Sequence, residues 1–188
     1  MKTEIFDFKT LVIAIVILLF SALMSVIQTN QITIGNYLWL PMGVKVLAYL
    51  IYGFKAFPGV LLGSLMSGIL VYDFWNGNTF YGPLGSFAGA LAPLLAIAFM
   101  RYFHLSNFFD QGRIQFTHVL LLILLSAIFN TLLKLFIYVG RVSDTTGAQI
   151  DVVGFVQSYF IGDVLGGVFF VLIALKIFLP TLIKLKII

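Results

Sequence analysis

Long apolar stretches, separated by short polar segments, constrain this fold more than any other feature of the sequence. A helix needs about 20 apolar residues to cross roughly 30 Å of hydrocarbon. Six such stretches lie at about residues 11–27, 37–54, 57–74, 81–102, 118–139 and 153–177. Only 10% of the residues are charged, against about one quarter in a soluble domain. We therefore predict a single all-α domain over residues 1–188, a polytopic membrane bundle of about six transmembrane helices in the lipid bilayer.

The positive charges predict the orientation of this bundle. Lysine and arginine are enriched on the cytoplasmic side of membrane proteins. With a cytoplasmic N-terminus, the inner segments carry Lys2, Lys9, Lys55, Arg101, Arg113, Lys176, Lys184 and Lys186, whereas the outer loops carry only Arg141. The distribution predicts that both termini are cytoplasmic.

Lys45 is the most unusual residue, because it lies near the middle of the second apolar stretch. A cation at the centre of a bilayer costs on the order of 3 kcal/mol, so such residues normally face the bundle interior and have a partner. Asp163 and Lys134 lie in two other stretches. We hypothesise a ligand site in the outer half of the bundle, where Asp163 pairs with one lysine and the other lysine receives an anionic group. The candidate residues are Lys45, Asp163, Lys134, Asn130, Tyr159 and Trp39.

A second interpretation of the same charges stays open. Ser126, Asn130 and Lys134 recur every four residues and therefore share one helix face. The charges would then form a buried ion pair that only fixes helix register, with Lys134 extending its ammonium to the outer surface.

Small residues and prolines predict where helices pack closely or bend. In lipid, small residues four apart allow two backbones to approach, and proline starts or kinks a helix. The candidates for packing or kinks are Pro41, Gly43, Pro58, Gly63, Gly85, Gly89, Gly162 and Gly166.

Several functional classes are not favoured by the sequence. Motifs such as Gly-x-Ser-x-Gly, His-Glu-x-x-His and the phosphate loop do not occur. The chain contains no cysteine and two histidines, so we expect neither a metal site nor a cofactor. The scattered cations do not indicate nucleic-acid binding. We expect a protein that is not an enzyme.

Three motifs resemble a known family. Trp39-Leu40-Pro41-Met42-Gly43, the Pro58-Gly59-Val60-Leu61-Leu62-Gly63 segment and Gly162-Asp163-Val164-Leu165-Gly166 are similar, in order and spacing, to the MASE1 family of bacterial membrane-associated sensor domains. The resemblance implies a multi-span sensory module of the bacterial inner (plasma) membrane that usually acts with a kinase or a cyclic-di-GMP enzyme. A module without an output domain would signal through a partner protein.

Two other functions stay open. Six spans in about 190 residues also suit the substrate-binding subunit of an energy-coupling-factor transporter. Such subunits dock through an alanine face on the first span, where this chain has Ala14 and Ala22. The remaining possibility is a small subunit of a larger membrane complex.

Overall fold

The computed structural model describes residues 7–27, 37–72, 80–106, 115–145 and 151–178, without the side chains of 140–145 and 178. These residues form helices and no strand, which confirms the predicted all-α class for the described part of the chain. The helices are α1 (Phe8–Ile27), α2 (Leu40–Tyr52), α3 (Phe57–Leu70), α4 (Tyr81–Tyr102), α5 (Phe116–Thr145) and α6 (Val152–Ile173). A π-helical turn, Ala174–Phe178, extends α6.

The helix ends follow from local chemistry. The Asp7 carboxylate accepts a hydrogen bond from the Thr10 N–H at 2.9 Å, which caps α1 and lowers the pKa of Asp7. Asp151 caps α6 in the same way, through the Gly154 N–H at 2.8 Å. Pro41 and Pro58 occupy first-turn positions of α2 and α3, where a missing N–H costs nothing. Pro41 therefore starts a helix here and does not kink one.

α2 is the central helix of the bundle. α1, α3, α4, α5 and α6 pack side by side in that order. α2 fills the space between α6 and α1, and it also contacts α3, α4 and α5. Nine of its 13 residues are buried. Large apolar side chains on the outside of the bundle, such as Leu19, Phe136 and Leu165, are exposed, as expected of a surface that faces lipid.

α2 and α3 form a hairpin that turns at Gly53. This residue has φ 58°, a left-handed conformation that glycine adopts without a steric penalty, and a 3₁₀ turn, Gly53–Ala56, leads into α3. The turn lies at the end of the bundle that holds Lys9, Phe54 and Arg101, called here the Phe54 end. Lys9 Nζ lies 5.4 Å from the Tyr52 ring centroid, and Arg101 Cζ lies 5.4 Å from that of Phe54.

The number of membrane-length segments differs from the sequence prediction. Within the described residues, five segments are long and apolar enough to cross a membrane, and Leu40–Leu70 counts as one of them. The second and third predicted stretches are the hairpin, whose helices have 13 and 14 residues. At 1.5 Å per residue each is about 20 Å long, shorter than the hydrocarbon layer.

Both hairpin helices stop inside the bundle at the opposite end, called here the Trp39 end. The Trp39 N–H donates to the Gly162 carbonyl at 2.9 Å. Gly162 is ten residues into α6 (Val152–Ile173), or about 15 Å along its axis. Beyond α3, the Tyr72 hydroxyl donates to the Ser21 carbonyl at 2.8 Å, six residues before α1 ends at Ile27. Hydropathy did not reveal these two internal helix ends.

Part of the predicted orientation lies outside the described residues. This applies to Lys2, Arg113, Lys184, Lys186 and the side chain of Arg141. Lys9, Lys55 and Arg101 lie together at the Phe54 end, close to the hairpin turn or to the ends of α1 and α4.

Candidate functional site

Lys45 lies inside the bundle because it is on the central helix. Only 6% of its surface is exposed. Its ammonium donates to the Gly89 carbonyl of α4 at 3.2 Å. An ammonium has three N–H donors, so the hydrogen bond to Gly89 occupies one of them. Lys45 therefore retains donors for a further acceptor.

Asp163 is held by an amide and not by a lysine. It is 2% exposed, and its carboxylate accepts a hydrogen bond from Asn130 Nδ2 on α5. Among the lysines that the structure describes, none has its nitrogen within 4 Å of this carboxylate, so the expected direct ion pair with Lys45 or Lys134 is not formed. Lys45 and Lys134 still act electrostatically on this carboxylate and on each other. The residue that contacts the acid is Asn130.

Lys134 lies half-buried on α5, one turn beyond Asn130. Its ammonium lies 5.1 Å from the Tyr159 ring centroid, within the range of a cation–π interaction. Tyr159 continues into an aromatic stack: its centroid is 4.3 Å from that of Phe155, and Phe155 is 4.7 Å from Tyr138. Lys134 thus points at an aromatic wall, and not simply at the surface as in the ion-pair interpretation.

A cavity of about 140 Å³ lies between these groups at the Trp39 end. It occupies the level at which α2 begins and α3 ends, because the short hairpin leaves space that full-length helices would fill. Both Lys45 and Lys134 line it, whereas Asp163 does not. The other lining side chains that matter here are Trp39, Pro41, Ser64, Tyr138, Phe155 and Tyr159.

Gly89 and Gly85, both expected to pack helices, have different surroundings. A methyl group on Gly89 would lie 3.1 Å from Lys45 Nζ, 3.6 Å from Asn130 Oδ1 and 3.7 Å from Lys134 Cε. Gly89 is therefore where three of the candidate polar residues converge. Gly85, one turn away, would meet nothing within 4 Å and lines the cavity. Gly85 is a wall of the site and not a packing contact.

The other glycines in the candidate set bring helices together. A methyl group on Gly166 would overlap the backbone of Trp39, and one on Gly43 would crowd Phe170. Gly162 accepts the Trp39 N–H. Gly63 lies against α1, where a methyl group would be 2.9 Å from Ala14. The α2–α6 contacts fix the position of Trp39, whose ring lies 5.6 Å from that of Tyr72.

Ser64 is a site residue that the sequence analysis did not select. It is 8% exposed and lines the cavity. Its hydroxyl oxygen has no hydrogen-bond partner in the described part of the chain. A buried polar group without a partner costs free energy. In the sequence, Ser64 is one of many small residues on α3, so its role had no distinguishing pattern.

Within the described ranges, no three histidine, aspartate or glutamate side chains are close enough to hold a metal ion. Comparison with known protein families, curated proteins and solved structures found no match to this chain. The chemistry of the cavity is therefore the basis for assigning a function.

Proposed function

We propose that this protein is an integral membrane receptor module, which binds a small anionic ligand in the cavity between Lys45 and Lys134 and signals through a partner protein. One observation carries the proposal: two lysines line one cavity inside the bundle, and neither has a carboxylate of the described residues within 4 Å. Cations in a membrane interior are normally paired. A bound anion would supply the missing partner.

The position of α2 supports signalling from the cavity to the other end of the bundle. Lys45 lies on α2 beside the cavity, and Tyr52 is the last residue of the same helix, next to Lys9 at the Phe54 end. A ligand that draws the Lys45 ammonium away from Gly89 would exert a force on a short, central helix, and the far end of this helix contacts the Lys9 side chain. α2 is therefore one rigid element whose position both ends of the bundle can influence. Energetic coupling between two distant sites requires such an element.

The proposed topology has six crossings, with the hairpin counted as two and both termini in the cytoplasm of a bacterium. The Trp39 end then faces outward, so the cavity samples the extracytoplasmic side. The positive-inside rule favours this orientation, because Lys9, Lys55 and Arg101 share the Phe54 end.

The similarity to MASE1 sensor domains also favours a receptor. The first and last motif segments, which are far apart in sequence, contact each other through Trp39 and Gly166. The transporter alternative has less support from the geometry of α1. Ala14, which would belong to its docking face, is 1% exposed and lies against Gly63, so it is not free to meet another protein.

Native mass spectrometry of the gently extracted protein tests this function. We expect the wild type to retain a small molecule, the Lys45→Met variant to lose it, and the Lys55→Met variant to keep it. Lys55 is the matched control because it is an exposed lysine in the hairpin turn. Absence of any bound molecule from the wild type, or its retention by Lys45→Met, would contradict the proposal. Co-purified transporter ATPases would favour the transport alternative.

A further inference from the structure

Building on the receptor function above, we propose that the ligand is a single-ring aromatic carboxylate: a monoanion on a body about the size of benzene. Three features of the site define this ligand. The charges set its charge, the hydrogen-bond donors set its polar group, and the shape of the cavity sets its size.

The charges favour one negative charge on the ligand. By residue type, Lys45 and Lys134 contribute two positive formal charges and Asp163 one negative formal charge, so the cluster has a formal charge of +1. Uncompensated charge in a low-dielectric interior is costly. A monoanion neutralises the cluster, whereas a dianion or a neutral molecule leaves one unit of charge. The Asp163 carboxylate accepts a hydrogen bond from Asn130 and does not line the cavity, so the ligand meets the lysines.

The donors around the cavity suit a carboxylate. Lys45 retains N–H donors beyond its bond to Gly89. Ser64 lines the cavity and adds a buried hydroxyl that has no hydrogen-bond partner among the described residues. α2 begins at this level, with Pro41 on the cavity wall, and the N-terminus of a helix carries partial positive charge. Two carboxylate oxygens can accept from the ammonium and the hydroxyl together.

The volume and the walls limit the body of the ligand. The cavity measures about 140 Å³, and an apolar protein cavity of about 150 Å³ holds benzene. Phe155, stacked between Tyr138 and Tyr159, gives an aromatic wall next to Lys134. Aromatic rings favour offset-stacked or edge-to-face neighbours. A single ring fits this space, whereas inorganic phosphate leaves the aromatic wall uncovered.

Tryptophan fluorescence provides the test, because Trp39 lines the cavity. The chain has two tryptophans, so a Trp75→Phe background isolates Trp39. The probes are benzoate, benzyl alcohol as its neutral analogue, and acetate and inorganic phosphate as anions without a ring. We expect saturable quenching or enhancement by benzoate, and at least tenfold weaker binding of the other three. Equal binding of phosphate, acetate or benzyl alcohol would overturn the ligand class.

Variants connect this binding to the named residues. Lys45→Met should weaken benzoate binding at least tenfold and leave the weak binding of benzyl alcohol unchanged, while Lys55→Met should change neither. If Lys45→Met fails to fold, Ser64→Ala replaces it. The Ser64 hydroxyl has no hydrogen-bond partner to lose among the described residues. Its removal should therefore keep the fold and lower the affinity for benzoate about threefold to tenfold. Unchanged benzoate affinity in the folded variants would overturn the proposal.

The two proposals fail separately. A retained molecule that lacks a ring, or that carries two negative charges, would reject the aromatic carboxylate and leave the receptor function standing. If the wild type retains no molecule and benzoate does not bind, both proposals are rejected. Benzoate binding that survives in Lys45→Met would reject the assignment of the anion to this lysine.

Discussion

The Lys45 ammonium donates to the Gly89 carbonyl at 3.2 Å, in the interior of a bundle whose outer surface is apolar. This contact joins the central helix α2 to α4 and sets the ammonium beside the cavity. Gly89 has no side chain, so the lysine can approach the backbone here. The position of the Lys45 charge therefore depends on a glycine of a neighbouring helix.

Gly89→Ala should displace this ammonium. The added methyl group would lie 3.1 Å from Lys45 Nζ, close enough that the flexible end of the lysine must move by a few tenths of an ångström. We expect the variant to fold and to bind benzoate about threefold to tenfold more weakly, as measured by Trp39 fluorescence. Gly85→Ala is the stability control. Its methyl group meets nothing within 4 Å, so this variant should not have a lower free energy of unfolding than the wild type. Undiminished benzoate affinity in Gly89→Ala would contradict the assigned position of Lys45.

Gly166→Ala should destabilise the fold itself. The new methyl group would overlap the Trp39 backbone, which is also held by its hydrogen bond to Gly162. Overpacking of this kind costs about 1–3 kcal/mol. Unfolding in mild detergent should show a lower free energy of unfolding for Gly166→Ala than for Gly85→Ala. Equal stability of the two variants would mean that α2 does not begin against α6 as described.

Asn130 and Asp163 should behave as a coupled pair. Either single leucine substitution leaves one buried polar partner without its hydrogen bond, which costs about 1–3 kcal/mol. We expect the double variant Asn130→Leu/Asp163→Leu to lose less free energy of unfolding than the sum of the two single variants. The coupling energy should be about 1 kcal/mol or more.

A control cycle uses Leu132→Ala and Leu165→Ala. These leucines lie on the same two helices, α5 and α6, and their side chains are exposed on the outside of the bundle. Their losses should add within about 0.5 kcal/mol. Additive losses at Asn130 and Asp163 as well would argue against the hydrogen bond between them.

The sequence predicted the helical class and singled out the charged residues, because both depend on local chemistry. Apolar stretches of sufficient length must form helices in lipid. Lys45 and Asp163 were expected to lie inside for the same reason, and they are 6% and 2% exposed. The burial of each charged residue could be inferred from the apolar stretch that contains it, without knowledge of the other helices.

The hydrogen-bond partners of the charged residues and the ends of the hairpin helices could not be predicted from the sequence, because they depend on how the helices pack against each other. α2 begins inside the bundle, directly after Trp39, because Gly166 lets the Trp39 backbone approach α6. Asn130, rather than a lysine, reaches Asp163. Gly85 and Gly89 have the same spacing pattern, yet one lines a cavity and the other meets Lys45. No property of a single helix distinguishes such pairs.

Accessibility of a cysteine placed at Ser64 tests most directly whether an anion can reach this cavity. The chain has no cysteine of its own, so Ser64→Cys and Ser126→Cys each supply one thiol. Ser126 is the matched control: it is 0% exposed, and its hydroxyl donates to the Leu122 carbonyl at 2.6 Å. An anionic thiosulfonate applied to intact cells should label Ser64→Cys, benzoate should slow that labelling, and Ser126→Cys should react only after denaturation. Labelling of Ser64→Cys that is no faster than that of Ser126→Cys would contradict an anion-accessible cavity beside Lys45.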